Sequence, residues 1–150
     1  PEARIRSATA KVPGLDGEKM SKSYNNTLPI FGEEKPVRKL IMKIQTDSAQ
    51  VEDSKPTENS IILALYKLFA SESDYAQMVT DHENGGYGYG DFKKRLADAY
   101  WDYFAPMRLK RTELAADPTQ IDAILATGAE KARDEAAIVL DRVRRAVGLI

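Results

Sequence analysis

From Glu34 onward, hydrophobic residues recur every three or four positions, which is the spacing of one helix face. The first stripe consists of Val37, Leu40, Ile41 and Ile44. A second helix is predicted from Asn59, acting as its N-cap, to Phe69, and a third should begin at Ser71 or Ser73. The pattern therefore predicts a series of helices over most of the chain.

Two longer helices are predicted after a glycine-tyrosine loop at residues 85–90. The stripe of the first consists of Phe92, Leu96, Ala99, Tyr103 and Met107. Pro106 falls inside this stripe and should kink or split the helix, because proline lacks a donor and clashes one turn back. The last helix should begin at Asp117 as N-cap, with Pro118 in the first helical position and Gln120 closing a capping box. A glycine on its stripe predicts a close contact with another helix. That stripe consists of Ile121, Leu125, Gly128, Ala132, Ala136, Val139, Val143 and Val147.

The first thirty residues predict a different architecture, because prolines, glycines and asparagines are spaced through them without a hydrophobic period. Short extended pieces are expected near residues 4–8 and 28–31. The sequence thus predicts a mainly α protein, with a loop segment over residues 1–30 and a helical bundle over residues 31–150.

Composition limits the function classes. With 22 Lys and Arg against 23 Asp and Glu, the formal net charge is −1, so nucleic-acid binding would have to come from local basic patches. The chain has no cysteine, which excludes disulfides and thiolate metal sites and fits a cytoplasmic protein. No apolar run is long enough to span a membrane and no signal peptide is visible, so we expect no membrane partner.

The candidate chemistry lies in the pentapeptide Lys19-Met20-Ser21-Lys22-Ser23, which follows a turn rich in glycine. Lysine is a compact point charge on a flexible stem, so two lysines can follow phosphate charge as it develops in a transition state. Two hydroxyls in the same loop can donate further hydrogen bonds. A solvated surface loop is the alternative for any pair of lysines at this spacing.

The same five residues, in the same order, resemble the second signature of class I aminoacyl-tRNA synthetases. The surrounding Val12–Thr27 resembles the tryptophanyl-tRNA synthetase family, and the intact Met20-Ser21 favours that family over the tyrosyl family. Further similar stretches are Lys43-x-x-Thr46-Asp47-Ser48, Tyr89–Leu96 with Lys93, and Gly128–Arg133. The resemblance begins near Arg4 and continues to the last residue.

This resemblance implies a C-terminal portion of a tryptophan–tRNA ligase. Residues 1–30 would be the terminal loop of a Rossmann-like nucleotide-binding domain whose remainder is missing, and residues 31–150 a helical tRNA-binding domain. Lys19 and Lys22 would be catalytic, stabilising the pyrophosphate that leaves ATP. The residues implied to bind ATP, whose phosphates carry Mg²⁺, are Val12, Lys19, Met20, Ser21, Lys22 and Ser23. The other implied partners are L-tryptophan, tRNA(Trp) and a second copy in a homodimer, and this chain alone should be inactive.

Other candidates have simpler structural explanations. The glycine-tyrosine loop has no lysine in the P-loop pattern and is expected to connect helices. His82 is the only histidine, so it is expected to be a surface residue, and Trp101 is expected to be a packing anchor. Basic clusters could contact tRNA phosphates or be solvated helix faces. They are Lys35, Arg38, Lys39 and Lys43; Arg108, Lys110 and Arg111; and Arg142, Arg144 and Arg145.

Three alternative functions stay open at this point. The chain could be a stand-alone helical module that binds tRNA or another nucleic acid and carries a vestigial loop. It could also belong to a tyrosyl-type synthetase, or be a purely structural helical bundle.

Overall fold

The computed structural model describes residues 11–150, and within them the protein is mainly helical, as the sequence predicts. A short 3-10 helix at Lys22–Tyr24 precedes the α-helices. The α-helices are α1 (Glu34–Ile41), α2 (Ile61–Tyr66), α3 (Glu72–Asn84), α4 (Tyr89–Tyr103), α5 (Ala105–Ala116) and α6 (Pro118–Ala146). The extended piece expected at residues 4–8 lies outside the described residues, and the one at 28–31 is irregular rather than a strand.

The chain divides into two compact units, and the division falls after Pro106. The first unit contains the phosphate-loop candidate together with α1–α4, and the second is Met107–Ile150. The predicted loop therefore shares one unit with the first part of the predicted bundle, and the remainder of that bundle, from Met107 onward, is the second unit. That residues 1–30 belong to a separate nucleotide-binding domain stays a prediction.

The core of the first unit is built from side chains of α1, α2 and α4, and those of α1 and α4 include members of the predicted stripes. Fully buried side chains include Val37, Ile41, Ile44, Ile62, Leu65, Phe92 and Leu96. The start of α2 is shifted by one residue from the prediction. Asn59 adopts a left-handed backbone with φ of 58°, and the hydroxyl of Ser60 is the cap that accepts from the Leu63 amide at 3.3 Å. The helix also ends at Tyr66, before the predicted Phe69.

α3 begins at the predicted cap, where the Ser71 hydroxyl accepts from the Asp74 amide at 3.1 Å. It ends at Gly85, whose φ is 73°, and a Cβ there would lie 2.4 Å from the Glu52 carbonyl oxygen. Glycine is thus required at this turn by both conformation and space. The absence of a side chain at Gly85 thus lets the end of α3 lie directly against the loop after α1.

The predicted long helix is split, and the break lies just before Pro106. α4 ends at Tyr103, and Pro106 occupies the first turn of α5, where a missing amide donor costs nothing. The stripe does not continue across the break, because Tyr103 and Met107 are exposed. The prediction that Pro106 kinks or splits the helix is therefore confirmed by the splitting.

The second unit is dominated by α6, which begins as predicted. The Asp117 carboxylate accepts from the Thr119 amide at 3.1 Å, and the Gln120 side chain bonds the same carboxylate at 3.1 Å rather than a backbone amide. The close helix contact expected at Gly128 is absent from the described residues, since a Cβ there would meet nothing within 4 Å. No helix in residues 11–150 has the length and apolar content needed to cross a membrane.

Candidate functional site

The backbone of the candidate phosphate loop folds back on itself as a tight hairpin. The Met20 amide donates to the Val12 carbonyl at 2.9 Å, and the Gly14 amide donates to the Glu18 carbonyl at 2.7 Å. Pro13 and Lys19 form an isolated antiparallel bridge between these two contacts. The signature residues therefore begin on the return arm of a closed turn.

A buried asparagine, Asn26, ties the two ends of this loop together. Its Oδ1 accepts from the Ser21 amide at 2.8 Å, and its Nδ2 donates to the Asp16 carboxylate at 2.8 Å and to the Lys19 carbonyl at 3.3 Å. Its own backbone carbonyl accepts from the Leu15 amide at 3.0 Å. Only 2% of the Asn26 surface is exposed, so its polar groups bond to the loop rather than to solvent.

Gly14 makes room for this asparagine. A Cβ at position 14 would lie 2.3 Å from both Cγ and Nδ2 of Asn26, well inside van der Waals contact. The backbone of the glycine turn therefore packs directly against the amide that holds Ser21. Sequence analysis identified Gly14 and Asn26 only as turn formers, because a contact across twelve positions leaves no periodic signal.

The loop is also docked on the helical core of its unit. Leu15 and Leu28 are buried in the core cluster, and the Leu15 carbonyl accepts from the Gln45 amide at 3.0 Å. The Tyr100 hydroxyl donates to the Leu28 carbonyl at 3.2 Å. Both flanks of the signature are thus fixed to elements that the helices position.

The six predicted site residues lie together on this hairpin. Lys19, Lys22 and Ser23 are exposed, whereas Val12, Met20 and Ser21 are half-buried. The two hydroxyls, of Ser21 and Ser23, are 2.8 Å apart. The arrangement separates buried groups that fix the backbone from charged groups that are open to solvent.

One carboxylate in the loop is held ionised. The Asn26 amide, and to a smaller degree the Glu18 backbone amide, keep the pKa of Asp16 below its ordinary range. Asp16 thus acts as a permanent acceptor for Asn26 near neutral pH.

Among residues 11–150, no cluster of three or more carboxylate or imidazole side chains could hold a metal ion.

A second polar feature is a cleft of about 290 Å³ beside the loop after α1. The Tyr89 hydroxyl donates to the Asp47 carboxylate at 2.8 Å at its edge. The lining residues are Gln45, Thr46, Asp47, Pro56, Glu58, Asn59, Ser60, Ile61, Ile62 and Tyr89. The pKa of Asp47 is lowered, first by the Ala49 amide and then by Tyr89.

The loop that borders this cleft is organised around a buried lysine, Lys55, which is 3% exposed. Its ammonium donates to the carbonyls of Gln50 and Asp53 at 2.8 Å each and to that of Val51 at 3.3 Å. Its backbone amide donates to the His82 carbonyl at 2.6 Å. The Lys55 side chain therefore bonds the carbonyls of the segment, and its backbone amide joins the segment to α3.

His82 is not the surface residue that the sequence suggested. It is completely buried, and its ring stacks on Phe92 with centroids 3.8 Å apart. Its Nδ1–H donates to the Met78 carbonyl at 2.8 Å, and burial lowers its pKa, so the ring is neutral. The missed signal was its place on the stripe Tyr75, Met78, Val79 and His82, at i, i+3, i+4 and i+7.

The basic clusters differ in how far acidic neighbours neutralise them. Arg38 is held by Glu34 at 2.7 Å and by Asp98 at 2.6 Å, which raises its pKa. Arg145 pairs with Asp141 at 2.8 Å on α6. The lysines of the first cluster are exposed; they are Lys35, Lys39 and Lys43.

Trp101 packs half-buried against the core, consistent with the predicted anchor.

Comparison with known proteins connects this loop to a family. Residues 4–105 match the family model described as tRNA synthetases class I (W and Y). Two similar curated proteins are the tryptophan–tRNA ligases of Rhodopirellula baltica, 50% identical over 149 residues, and of Campylobacter jejuni, 43% identical over 149 residues. Each alignment covers 99% of this chain, which spans about half (47%) of the length of either relative.

Solved structures agree with the sequence comparison. The crystal structure of tryptophanyl-tRNA synthetase from Campylobacter jejuni complexed with ADP and tryptophan superposes with a TM-score of 0.90 and 42% identity. The superposition covers 99% of this chain and 46% of the other. The fold therefore matches over almost every residue of the chain.

Proposed function

We propose that this chain, which belongs to the class I tRNA synthetase family of the W and Y type, supplies the second signature loop and the helical domain of a tryptophan–tRNA ligase. The observation that carries this proposal is the Lys19–Ser23 loop, whose backbone is fixed by buried groups while its two lysines are exposed. The curated relatives named above are tryptophan–tRNA ligases, which supports tryptophan as the amino acid. The site of action is the cytoplasm, and the intact enzyme is a homodimer.

The reaction has two group-transfer steps. A carboxylate oxygen of L-tryptophan attacks the α-phosphorus of ATP, the bond from that phosphorus to the bridging β-oxygen breaks, and pyrophosphate leaves. A hydroxyl of tRNA then attacks the acyl carbon of the adenylate, transfers its proton to solvent, and releases AMP. Mg²⁺ arrives with the ATP phosphates and neutralises part of their charge.

Lys19 and Lys22 act in the first step. Negative charge accumulates on the leaving pyrophosphate as the bond breaks, and two ammonium groups on one short loop stabilise that charge. The hydroxyls of Ser21 and Ser23 donate to phosphate oxygens, and the backbone at Val12 and Met20 faces the adenine side. The C. jejuni neighbour was solved with ADP and tryptophan, which supports an adenine nucleotide and tryptophan as ligands of the proposed enzyme.

The test of the loop is adenylate formation by the full-length ligase that contains this sequence. Lys22→Ala should slow single-turnover adenylate formation by about 100-fold or more, because one preorganised electrostatic contact typically contributes about 3–4 kcal/mol to the transition state. Tryptophan affinity should stay unchanged, since the charge acts on the leaving phosphates. Lys22→Arg should recover part of the rate.

The control is Lys94→Ala, which removes an exposed lysine from α4 and should leave the rate unchanged. A Lys22→Ala enzyme that forms adenylate at the wild-type rate would refute the proposed role of the loop.

Helical-domain contacts with tRNA(Trp) are proposed for the exposed lysines of the first cluster, Lys35, Lys39 and Lys43. If they neutralise phosphates, the tRNA dissociation constant should rise with salt, and replacing all three by alanine should flatten that dependence. Adenylate formation without tRNA should be unaffected. An unchanged salt slope in the triple variant would exclude these lysines as phosphate contacts.

A further inference from the structure

We propose that Asn26 is a positioning residue for adenylate formation, which sets the backbone from which Lys19 and Lys22 reach the ATP phosphates. The inference rests on the proposed function of the loop. Neither the family match nor the composition of the pentapeptide assigns any role to this asparagine, which lies outside the signature.

The first argument is that Asn26 bonds the signature at two separate points. Its Oδ1 accepts from the Ser21 amide at 2.8 Å, and its Nδ2 reaches the Lys19 carbonyl at 3.3 Å. These contacts lie on the two sides of Met20, so one planar amide fixes the two peptide groups that directly follow the first lysine. A side-chain amide offers a donor and an acceptor in fixed geometry, and an alanine offers neither.

The second argument is that Asn26 is itself held from the opposite arm of the hairpin. Asp16 accepts from Nδ2 at 2.8 Å, and the Leu15 amide donates to the Asn26 carbonyl at 3.0 Å. Gly14 closes the remaining side, since no Cβ fits beside the amide there. The asparagine therefore joins both arms, and neither arm can shift without breaking one of these contacts.

The third argument concerns the second lysine. The short helix Lys22–Tyr24 has Ser21 as its N-cap, the residue whose amide donates to Asn26, and Asn25 as its C-cap, with φ of 52°. Position 22 is thus the first residue of a turn whose start is fixed by Asn26 and whose end leads directly back to it. Both lysines depend on the same amide, although it touches neither ammonium group.

The effect on the reaction follows from distance sensitivity. A misplacement of about 1 Å by a residue away from the chemistry can cost about 100-fold in rate. We therefore expect Asn26→Ala in the full-length ligase to lower single-turnover adenylate formation by about 10- to 100-fold, with little change in tryptophan affinity. The control is Asn84→Ala, an exposed asparagine at the end of α3, which should form adenylate at the wild-type rate.

A double variant separates positioning from general destabilisation. If Asn26 acts through the lysines, then Asn26→Ala should slow Lys22→Ala much less than it slows the wild type, because the interaction it orients is already lost. If the two losses multiply, Asn26 acts independently of Lys22 and the inference is overturned. If Lys22→Ala alone has no effect, the proposed function fails instead, and the two failures are distinguishable.

Three further variants keep the proposal testable if Asn26→Ala folds poorly. Gly14→Ala keeps Asn26 but forces its amide to move, and it should reproduce the kinetic defect. Asn26→Asp places a second carboxylate against Asp16 and should be defective, whereas the exchanged pair N26D/D16N restores one donor and one acceptor and should recover part of the rate. Two results together would contradict the positioning role: N26D/D16N forms adenylate no faster than N26D, and Gly14→Ala forms it at the wild-type rate.

Discussion

Lys55→Met should destabilise the first unit strongly, although Lys55 lies outside the candidate site. The replacement keeps a similar length and removes the ammonium that bonds the carbonyls of Gln50, Val51 and Asp53. These carbonyls belong to one short segment, where the Gln50 carbonyl also accepts from the Asp53 amide at 3.3 Å and the Val51 carbonyl from the Gly86 amide at 2.8 Å. Among the described residues Lys55 is the side chain that joins all three, so we expect the segment to loosen when the ammonium is removed.

The magnitude can be worked out from the contacts. A hydrogen bond to a charged group contributes about 1.5–3 kcal/mol net, so the two contacts at 2.8 Å amount to about 3–6 kcal/mol. Burying the ammonium offsets part of this gain, since an ion removed from water costs several kcal/mol. The backbone around Gln50 is exposed, so water can reach the freed carbonyls after the replacement. We expect a net loss of about 2–3 kcal/mol.

The assay is urea unfolding followed by fluorescence of Trp101, the only tryptophan, which packs half-buried in the first unit and so reports its unfolding. The matched control is Lys94→Met, which removes an exposed ion pair with Asp91 at 3.2 Å and should cost less than about 1 kcal/mol. Equal unfolding free energies for the two variants would refute the view that the three carbonyls depend on Lys55.

Four further outcomes follow from the structure. Burial lowers the pKa of His82, while the unfolded imidazole keeps its value of 6.5, so the unfolded state binds more protons below that pH. The contribution of His82 to stability should therefore be complete above about pH 6.5 and should fall as the pH drops. His82→Gln should remove this slope of unfolding free energy between pH 5 and 7, and an unchanged slope would contradict the argument. Tyr89→Phe should raise the pKa of Asp47 only partly, because the amide of residue 49 contributes more, and NMR titration of the carboxyl checks this; a fully normal pKa would contradict the order of causes. Ser60→Ala should cost about 1 kcal/mol of unfolding free energy through loss of the cap, whereas Asn59→Gly should be neutral or stabilising, and the reverse order would restore Asn59 as the cap. This chain alone should show no tryptophan-dependent ATP–pyrophosphate exchange, and turnover like that of an intact ligase would contradict the proposal that the chain carries only part of the ATP site.

The helices were predictable because their signals are local. A stripe needs only the spacing of neighbours on one segment, and the caps at Ser71 and Asp117 need only two or three adjacent residues. The shift of the α2 cap shows the limit of such signals. Asn59 and Ser60 are both favourable cap residues. The left-handed backbone of Asn59 makes Ser60 the cap, and the local sequence alone does not specify that conformation.

The failures have a common physical cause, which is packing between segments. His82 was placed at the surface because a lone histidine is often exposed, but the α3 face that carries it packs against Phe92 from α4. Tyr103 shows the reverse case, because it lies on the predicted inner stripe at the end of α4 and yet is 48% exposed. Hydrophobic period predicts which face could be buried, and only tertiary contacts determine which residues are.

The candidate site shows both kinds of information within one short loop. The lysines and hydroxyls of Lys19–Ser23 are recognisable from sequence because the proposed chemistry depends on those side chains themselves; the lysines and Ser23 are exposed, and Ser21 is half-buried. The groups that hold them, Gly14, Asp16 and Asn26, are ordinary turn residues in sequence and become specific only through a network that joins both arms of the hairpin. Electrostatic stabilisation is strongest when charges need no reorganisation as the reaction proceeds. If the loop binds ATP as proposed, its two lysines are held best by a backbone that is fixed through contacts independent of the nucleotide, and the buried amide of Asn26 supplies contacts of that kind from within the same unit.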